Sequence, residues 1–156
     1  MYTDTLMTDM TDAALQAAFR AYYAELGVKV TNWEGLFQEI SASPDCLFVR
    51  RDGEGRVIGF LLFAMLDAAS SGRGFYTTRL GCVEEFWVAA ECRRQGHGAA
   101  LLRLAEKHFM QLGCAYAILT TDTAPHFYEK HGYRLQRGIE AKNKAPVYMK
   151  ALCREG

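Results

Sequence analysis

The chain has 156 residues, half of them hydrophobic and 12% aromatic, which fits a single folded domain over residues 1–156 and argues against a disordered chain. The 18 Lys and Arg residues balance 18 Asp and Glu residues, so no net field attracts nucleic acid or an anionic membrane, and neither is expected as a partner. No apolar run is long enough to span a bilayer, and the N-terminal residues lack the basic segment of a signal peptide, so we expect a cytoplasmic protein.

The order of the predicted elements follows from hydrophobic periodicity and from turn residues. The segment 80–121 has the pattern strand–helix–strand, so its two strands are expected to lie parallel. We expect the α/β class, with a central mixed sheet of six to seven strands and helices on both faces. The predicted elements are a short strand within 1–7, helices over 13–26 and about 33–41, strands over 46–51, 56–66 and 80–88, a helix over 97–112, a strand over 115–121, a short helix over 125–131, and an antiparallel strand pair over 133–137 and 147–152.

Polar and glycine residues mark the ends of these elements. Thr11 or Asp12 can cap the first helix, Gly27 can end it, and Asn32 can cap the second helix. The strand over 56–66 lacks alternation and is expected to be buried on both faces. The polar, glycine-rich stretch Asp67–Tyr76 is expected to be a loop and a candidate lid on the substrate side.

The five cysteines and four histidines show no metal-ligand spacing. No two cysteines form a Cys-x-x-Cys pair, and we interpret them as thiols in a reducing cytoplasm. His126 and His131 are five residues apart and would not share a helix face. We therefore predict no metal site.

The stretch from Arg93 to Ala99, RRQGHGA, joins a predicted strand to a predicted helix. Glycines at 96 and 98 let a ligand approach the backbone closely, and N–H groups at the helix start favour an anion such as a pyrophosphate. The stretch lacks the Gly-Lys-Ser/Thr of a Walker A loop and the third glycine of a dinucleotide-binding fingerprint. A tight turn with two solvated arginines fits the same residues, so this stretch alone leaves its ligand open.

A second segment, Ala124 to Tyr133, follows the next predicted strand. Together the two segments resemble the GNAT superfamily of acetyl-coenzyme A (acetyl-CoA)-dependent N-acetyltransferases. The first matches the family signature Arg/Gln-x-x-Gly-x-Gly/Ala as Arg93-x-x-Gly96-x-Gly98, and the second matches the block Ala-x-x-Phe-Tyr-x-x-x-Gly-Phe/Tyr. The order of the predicted elements also fits the family along most of the chain.

The resemblance implies the acyl-CoA N-acyltransferase fold, with acetyl-CoA as the co-substrate. Backbone groups of Phe86 and Val88 would pair with the pantetheine arm, and the turn from Arg93 to Ala99 would hold the pyrophosphate. The cofactor-binding residues that it implies are Phe86, Trp87, Val88, Arg93, Arg94, Gln95, Gly96, His97, Gly98, Ala99 and Thr121.

Two of these positions depart from the family pattern. Arg94 stands where glycine is usual, so its side chain either contacts phosphate or projects outward. Thr121 stands where an asparagine often binds pantetheine, and Thr121 or Asp122 is the candidate to replace it. His97, inside the glycine motif, is expected to be exposed, with its backbone rather than its imidazole in the site.

The resemblance also implies that Tyr128 lies near the thioester sulfur. Its hydroxyl would stabilise or protonate the leaving thiolate as a general acid. The alternative is that Tyr128 only packs the short helix onto the sheet, although Phe127 is expected to be the more buried of the two.

Glu84 and Glu85 are the candidates for the base that accepts the proton of the amine. Side chains alternate along a strand, so the two point to opposite faces and at least one has no such role. The strand Glu-Glu-Phe-Trp-Val is similar to the Leu-Glu-Asp-Phe-Phe-Val strand of polyamine acetyltransferases, in which the acidic pair faces the amine site. Of the two residues, Glu84 is preferred.

We therefore expect an N-acetyltransferase that moves the acetyl group of acetyl-CoA directly to a primary amine of a small cationic substrate. The alternatives are a protein N-terminal or lysine acetyltransferase and a CoA-binding module without catalysis. The identity of the amine and the oligomeric state are left open. Many relatives are dimers, and the apolar last strand is a candidate to pair across a homodimer interface.

Overall fold

The computed structural model describes residues 1–44, 46–66, 79–121, 123–138 and 145–152. Every predicted helix and strand is present, with ends within two residues of those expected. The proposed lid, Asp67–Tyr76, lies outside the described residues, as do Asp122 and Cys153. In chain order the elements are β1 (Thr3–Met7), α1 (Ala13–Glu25), α2 (Trp33–Ala42), β2 (Cys46–Arg51), β3 (Val57–Leu66), β4 (Leu80–Val88), a 3₁₀ turn (Ala90–Cys92), α3 (His97–Gln111), β5 (Tyr116–Thr120), α4 (Pro125–Lys130), β6 (Arg134–Gln136) and β7 (Val147–Ala151).

Side-chain caps set the starts of the first two helices. Asp12, not Thr11, caps α1, because its carboxylate accepts the N–H of Leu15 at 2.9 Å. Asn32 caps α2 through its Oδ1, which accepts the N–H of Gly35 at 3.0 Å. Each cap satisfies an N–H group that has no acceptor inside its helix.

The seven strands form one mixed sheet in the order β1-β2-β3-β4-β5-β7-β6. β4 and β5 are parallel, as the strand–helix–strand pattern predicts, and β7 runs antiparallel to both β5 and β6. The last strand therefore lies between two neighbours and is not at an edge. The expectation that β7 pairs with a second copy of the chain is wrong, because its backbone groups bond to β5 and β6 of the same chain. Dimerisation itself stays a prediction.

Contacts divide the chain into two compact units. Unit 1 comprises Met1–Leu62 and Glu85–Leu102, and unit 2 comprises Phe63–Glu84 and Arg103–Gly156. By these ranges, β3, β4 and α3 each contribute residues to both units. The sequence predicts one domain, and that assignment stays a prediction.

In unit 1, different helices cover the two faces of β3. The rings of Phe19 on α1 and Phe60 on β3 are stacked with their centroids 4.2 Å apart, inside a buried cluster that also includes α2. Gly59 faces the opposite side because side chains alternate along a strand. There the Leu101 side chain of α3 lies 3.0 Å from the position that a Cβ would take. Burial on both faces explains why the sequence of β3 lacks alternation.

In unit 2, α3 packs closely on the sheet. The ring of Phe109 on α3 lies 5.3 Å from that of Phe63, and a Cβ at Gly81 would lie 2.2 Å from the same ring. Further along α3, the buried carboxylate of Glu106 accepts a hydrogen bond from the Tyr133 hydroxyl at 2.8 Å and forms an ion pair with Lys150 at 2.9 Å. This polar cluster ties α3 to β7.

Candidate active site

The turn between β4 and α3 presents an exposed stretch of backbone. Residues Arg93 to Gly96 are all exposed, and the N–H of Ala100 donates to the Gly96 carbonyl at 3.1 Å, which begins α3. The N–H groups of the first residues of α3 therefore have no acceptor inside the helix. Gly96 has a φ of 88°, and apart from its chain neighbours no heavy atom lies within 4 Å of the position of a Cβ there. This open backbone with N–H groups beside it fits the pyrophosphate of an acyl-CoA.

The Arg93 side chain is held within unit 1. Its Nη2 lies 2.5 Å from Oε2 of Glu25, at the end of α1, and its Nε donates to the Val88 carbonyl at 2.9 Å. The indole N–H of Trp87 donates to the other oxygen of Glu25 at 3.0 Å. The hydrogen bond from Arg93 is the main reason that the pKa of Glu25 is lowered. Glu25 thus links α1 to the end of β4 and to the turn.

Arg94 adopts a conformation that favours glycine. Its φ is 65°, and it is the one non-glycine residue with a positive φ among the described residues. The position is the one where the family usually has glycine, so the backbone keeps the glycine-like shape although the side chain differs. A left-handed conformation costs a non-glycine residue roughly 1 kcal/mol.

The His97 imidazole is buried, with 4% of the residue exposed, which contradicts the expectation of an exposed side chain. Its Nδ1 lies 3.0 Å from Nη1 of Arg50, and its ring packs edge-on against Tyr2 with the centroids 4.5 Å apart. Since a guanidinium only donates, Nδ1 accepts, and the neutral ring carries its proton on Nε2, which has no partner among the described residues. Burial, with the charge of Arg50 as a second cause, lowers the pKa of His97.

The end of β4 extends past its ladder with β5. The parallel ladder pairs Leu80–Cys82 with Tyr116–Ile118, so Val83–Val88 lie beyond its last pair. The extension includes Phe86, Trp87 and Val88, for which the resemblance implies pairing with pantetheine. That pairing stays a prediction.

The two acidic residues of β4 have different environments. Glu84 is exposed, whereas Glu85 is half-buried. Burial raises the pKa of Glu85, and a hydrogen bond from the Tyr22 hydroxyl partly opposes this rise. Because a carboxylate with a raised pKa binds a proton more readily, Glu85 has the environment expected of a base, although the sequence-based preference is Glu84.

Sequence reasoning missed Tyr22. The residue belongs to α1 and its hydroxyl donates to Oε2 of Glu85, which lies 63 positions later in the chain. Its neighbour Tyr23 is also affected, because burial and the charge of Glu85 both raise the pKa of that phenol. Helical periodicity places these tyrosines on α1 but gives no sign of their partner on β4.

In unit 2, Thr121 has a structural contact of its own. The residue is buried, and its Oγ1 accepts a hydrogen bond from the N–H of Ala124 at 3.1 Å, next to the start of α4. Its backbone N–H donates to the Pro146 carbonyl at 3.1 Å. Its hydroxyl therefore helps to fix the approach to α4, and a contact with pantetheine stays a prediction.

Tyr128 is buried in α4, with 9% of the residue exposed, and burial raises its pKa to about 12. Its ring packs edge-on against Phe127 and Tyr133, with centroid distances of 5.1 and 5.8 Å. Phe127 is only half-buried, so the expectation that it is the more buried of the two is wrong. The raised pKa keeps the Tyr128 hydroxyl protonated, and hence a hydrogen-bond donor, at neutral pH.

Two further site types were considered. Among the residues that the structure describes, no group of three His, Cys, Asp or Glu side chains could hold a metal ion, and the lack of a metal site stays a prediction. Within the described ranges, no helix has both the length and the apolar character needed to cross a membrane. Cys46, Cys82, Cys92 and Cys114 are free thiols.

Comparison with known proteins points to one family. A family model described as acetyltransferase (GNAT) family matches residues 6–133, which is most of the chain. No curated protein matches the sequence significantly.

Solved structures show the same fold at low sequence identity. A Klebsiella pneumoniae protein assigned to the acyl-CoA N-acyltransferases is 20% identical, with a TM-score of 0.67 over 98% of this chain and 99% of that one. A GNAT-family acetyltransferase from Staphylococcus aureus is 12% identical, with a TM-score of 0.70 over 97% and 100%. The N-acetylglutamate synthase of Neisseria gonorrhoeae, solved with coenzyme A and N-acetylglutamate, is 12% identical, with a TM-score of 0.70 over 97% of this chain and 36% of that one.

Proposed function

Because this chain belongs to the GNAT acetyltransferase family and is therefore an acyl-CoA-dependent N-acetyltransferase, we propose that it transfers the acetyl group of acetyl-CoA directly to a primary amine of a small cationic compound. The observation that supports this acceptor is the half-buried carboxyl of Glu85 on β4. A carboxylate in such a place attracts an ammonium group and can take a proton from it.

Glu85 acts before the transfer. Most primary amines are protonated at neutral pH, and only the neutral amine is a nucleophile. Glu85 accepts one proton from the ammonium, directly or through a water molecule, which leaves a lone pair on the nitrogen. We prefer Glu85 to Glu84 for this role because burial raises the pKa of Glu85, whereas Glu84 is exposed.

Acetyl-CoA, when bound, supplies an acetyl group activated as a thioester. The N–H groups at the start of α3 and the exposed backbone around Gly96 would hold its pyrophosphate, and the backbone of Phe86 to Val88 would pair with its pantetheine arm. As the nitrogen bonds to the acetyl carbon and the C–S bond breaks, the Tyr128 hydroxyl, kept protonated by its raised pKa, would donate a hydrogen bond to the leaving sulfur, and the second proton lost by the nitrogen would neutralise the thiolate.

The proposal is tested by measuring free thiol released from acetyl-CoA by the purified chain. The acceptor panel contains spermidine, an aminoglycoside, a free amino acid and a lysine-containing peptide. We expect thiol release with small cationic amines and little with the peptide. Preference for the peptide would contradict the acceptor assignment, and tight binding of coenzyme A without thiol release for any amine would contradict catalysis.

A further inference from the structure

We propose that Tyr22 is a positioning residue of this enzyme: its hydroxyl holds the carboxylate of Glu85 in the orientation in which that group accepts the proton of the amine. The inference rests on the proposed role of Glu85 and goes beyond it, since it assigns a function to a residue of α1 that lies outside both sequence motifs. It is carried by the hydrogen bond from the Tyr22 hydroxyl to Oε2 of Glu85.

The Tyr22 ring is fixed by its neighbours. It packs edge-on against Phe60 on β3, with the centroids 5.5 Å apart, and at a tilt against Tyr23, with the centroids 5.3 Å apart. Phe60 is fully buried and stacked on Phe19, so the surface that supports the Tyr22 ring belongs to the core of unit 1. A ring supported in this way directs its hydroxyl to one place on β4.

The contact leaves one carboxylate oxygen for the substrate. Among the described residues, the hydrogen-bond partner of Glu85 is Tyr22, whose hydroxyl donates to Oε2. The other oxygen, Oε1, can then receive the proton of the amine. A carboxylate with one oxygen fixed has less rotational freedom to lose when it engages the amine.

The pKa of Glu85 depends on Tyr22 and on the other groups nearby. α1 contributes two titratable groups, the phenols of Tyr22 and Tyr23, and β3 contributes the apolar ring of Phe60, which packs against Tyr22. Burial is the larger influence on Glu85 and raises its pKa, and the Tyr22 hydrogen bond lowers it by favouring the charged form. Tyr23 is neutral at physiological pH and has no such bond to Glu85 among the described contacts.

A contact that served only to hold α1 on the sheet would have different consequences. Its loss would lower stability and move the Glu85 titration, but it would leave kcat/KM on the plateau unchanged. Loss of a contact that positions the carboxylate must also lower kcat/KM on the plateau, besides moving the titration of Glu85 to higher pH.

The test compares Tyr22→Phe with the matched control Tyr23→Phe. The Glu85 titration is followed in the free protein by ¹³C NMR of its carboxyl carbon, assigned with Glu85→Gln, and the pH profile of kcat/KM is measured by thiol release with spermidine or the best amine of the panel. In Tyr22→Phe we expect both titrations to move to higher pH together. Because the carboxylate is then no longer held in place, kcat/KM should fall about tenfold on the plateau and further on the acid side, where more of Glu85 is protonated. Tyr23→Phe should leave both midpoints in place.

The outcomes separate this inference from the proposed function. If Tyr22→Phe leaves the Glu85 titration unchanged while acetyl transfer continues, Tyr22 does not control Glu85 and the inference is overturned alone. If the NMR titration moves and the acid limb of kcat/KM does not, Glu85 is not the base, and both the proposed role and the inference fail. A plateau of kcat/KM that does not fall in Tyr22→Phe would overturn the inference alone, because the carboxylate would then work equally well without Tyr22. Equal shifts in the two tyrosine variants would also overturn it, because the effect would then lack the specificity of the hydrogen bond.

Discussion

At the scale of single residues, the environment of Tyr128 limits what its hydroxyl can do. Its pKa is raised to about 12, whereas a thiol has a pKa of about 8.5, so a thiolate is too weak a base to take the phenolic proton fully. In the proposed mechanism this hydroxyl therefore donates a hydrogen bond to the leaving sulfur rather than a proton. We predict that Tyr128→Phe lowers kcat roughly hundredfold and leaves the Kd for acetyl-CoA nearly unchanged, as measured by thiol release and calorimetry.

Tyr116→Phe is the matched control for this prediction. Tyr116 lies on the neighbouring strand β5 but is exposed, so its hydroxyl should not affect turnover. An unchanged kcat in Tyr128→Phe would remove this hydroxyl from the mechanism.

Arg94 gives a prediction about stability rather than catalysis. Its φ of 65° is strained for a residue with a Cβ, and glycine relieves that strain. We predict that Arg94→Gly raises the free energy of unfolding by up to about 1 kcal/mol, measured by urea denaturation. The neighbouring Gln95 is also exposed but has no positive φ, so Gln95→Gly should be neutral or destabilising. A loss of stability in Arg94→Gly as large as that in Gln95→Gly would show that the turn is not strained.

At the scale of elements, the packing of α3 on β4 depends on the missing side chain at Gly81. A Cβ there would lie 2.2 Å from the ring of Phe109, far closer than carbon atoms approach without displacement. We predict that Gly81→Ala lowers the free energy of unfolding by about 1–3 kcal/mol, because α3 or the Phe109 ring must shift. The measurement is the denaturation midpoint in urea.

Gly53→Ala controls for the general effect of replacing glycine by alanine. In the turn between β2 and β3, the nearest atom to a Cβ at Gly53 is the Met1 carbonyl oxygen at 3.8 Å, which is an ordinary contact. This variant should change stability by less than about 1 kcal/mol. Similar losses in both variants would refute the steric explanation.

The elements themselves could be predicted from the sequence because their signals are local. Asp12 and Asn32 cap helices by binding N–H groups only three residues away, and Gly27, with a φ of 70°, ends α1. The two family motifs are also local, since each is a short run with its glycines at fixed positions. Such patterns predict where an element or a turn begins without any knowledge of its partners.

The missed features depend on partners far away in the chain. Glu85 meets Tyr22 across 63 positions, and His97 meets Arg50 across 47. His97 is buried beside Tyr2 and Arg50, two partners that no local pattern indicates. β7 lies between β5 and β6, and its pairing with β5 also joins segments that are far apart in the chain. The sequence therefore predicts that β6 and β7 form an antiparallel pair but not that β7 pairs with β5 as well.

At the scale of the whole molecule, three histidines make stability depend on pH. Burial is the main reason that the pKa values of His97, His108 and His131 are lowered from 6.5. Below about pH 6.5 the unfolded chain takes up protons that the folded chain does not, so the free energy of unfolding falls as the pH decreases. Glu85 acts in the opposite sense, because its pKa is raised in the folded chain.

We predict that His97→Gln loses less stability than the natural chain between pH 7 and pH 5, since one of the three histidines no longer contributes. Urea denaturation at several pH values measures the difference, and the opposite effect of Glu85 cancels because both proteins share it. The control is His126→Gln, because His126 is exposed. Its plot of the free energy of unfolding against pH should run parallel to that of the natural chain. A parallel curve for His97→Gln would contradict the prediction.

The place of β7 in the sheet also determines when unit 2 can finish folding during synthesis. The strand lies later in the chain than both β5 and β6, which it separates. Since a ribosome makes the N-terminal residues first, Tyr116–Thr120 and Arg134–Gln136 emerge before the strand that joins them. A nascent chain that ended before Val147 would present the open edge of β5, and an open strand edge can pair with other chains until β7 covers it.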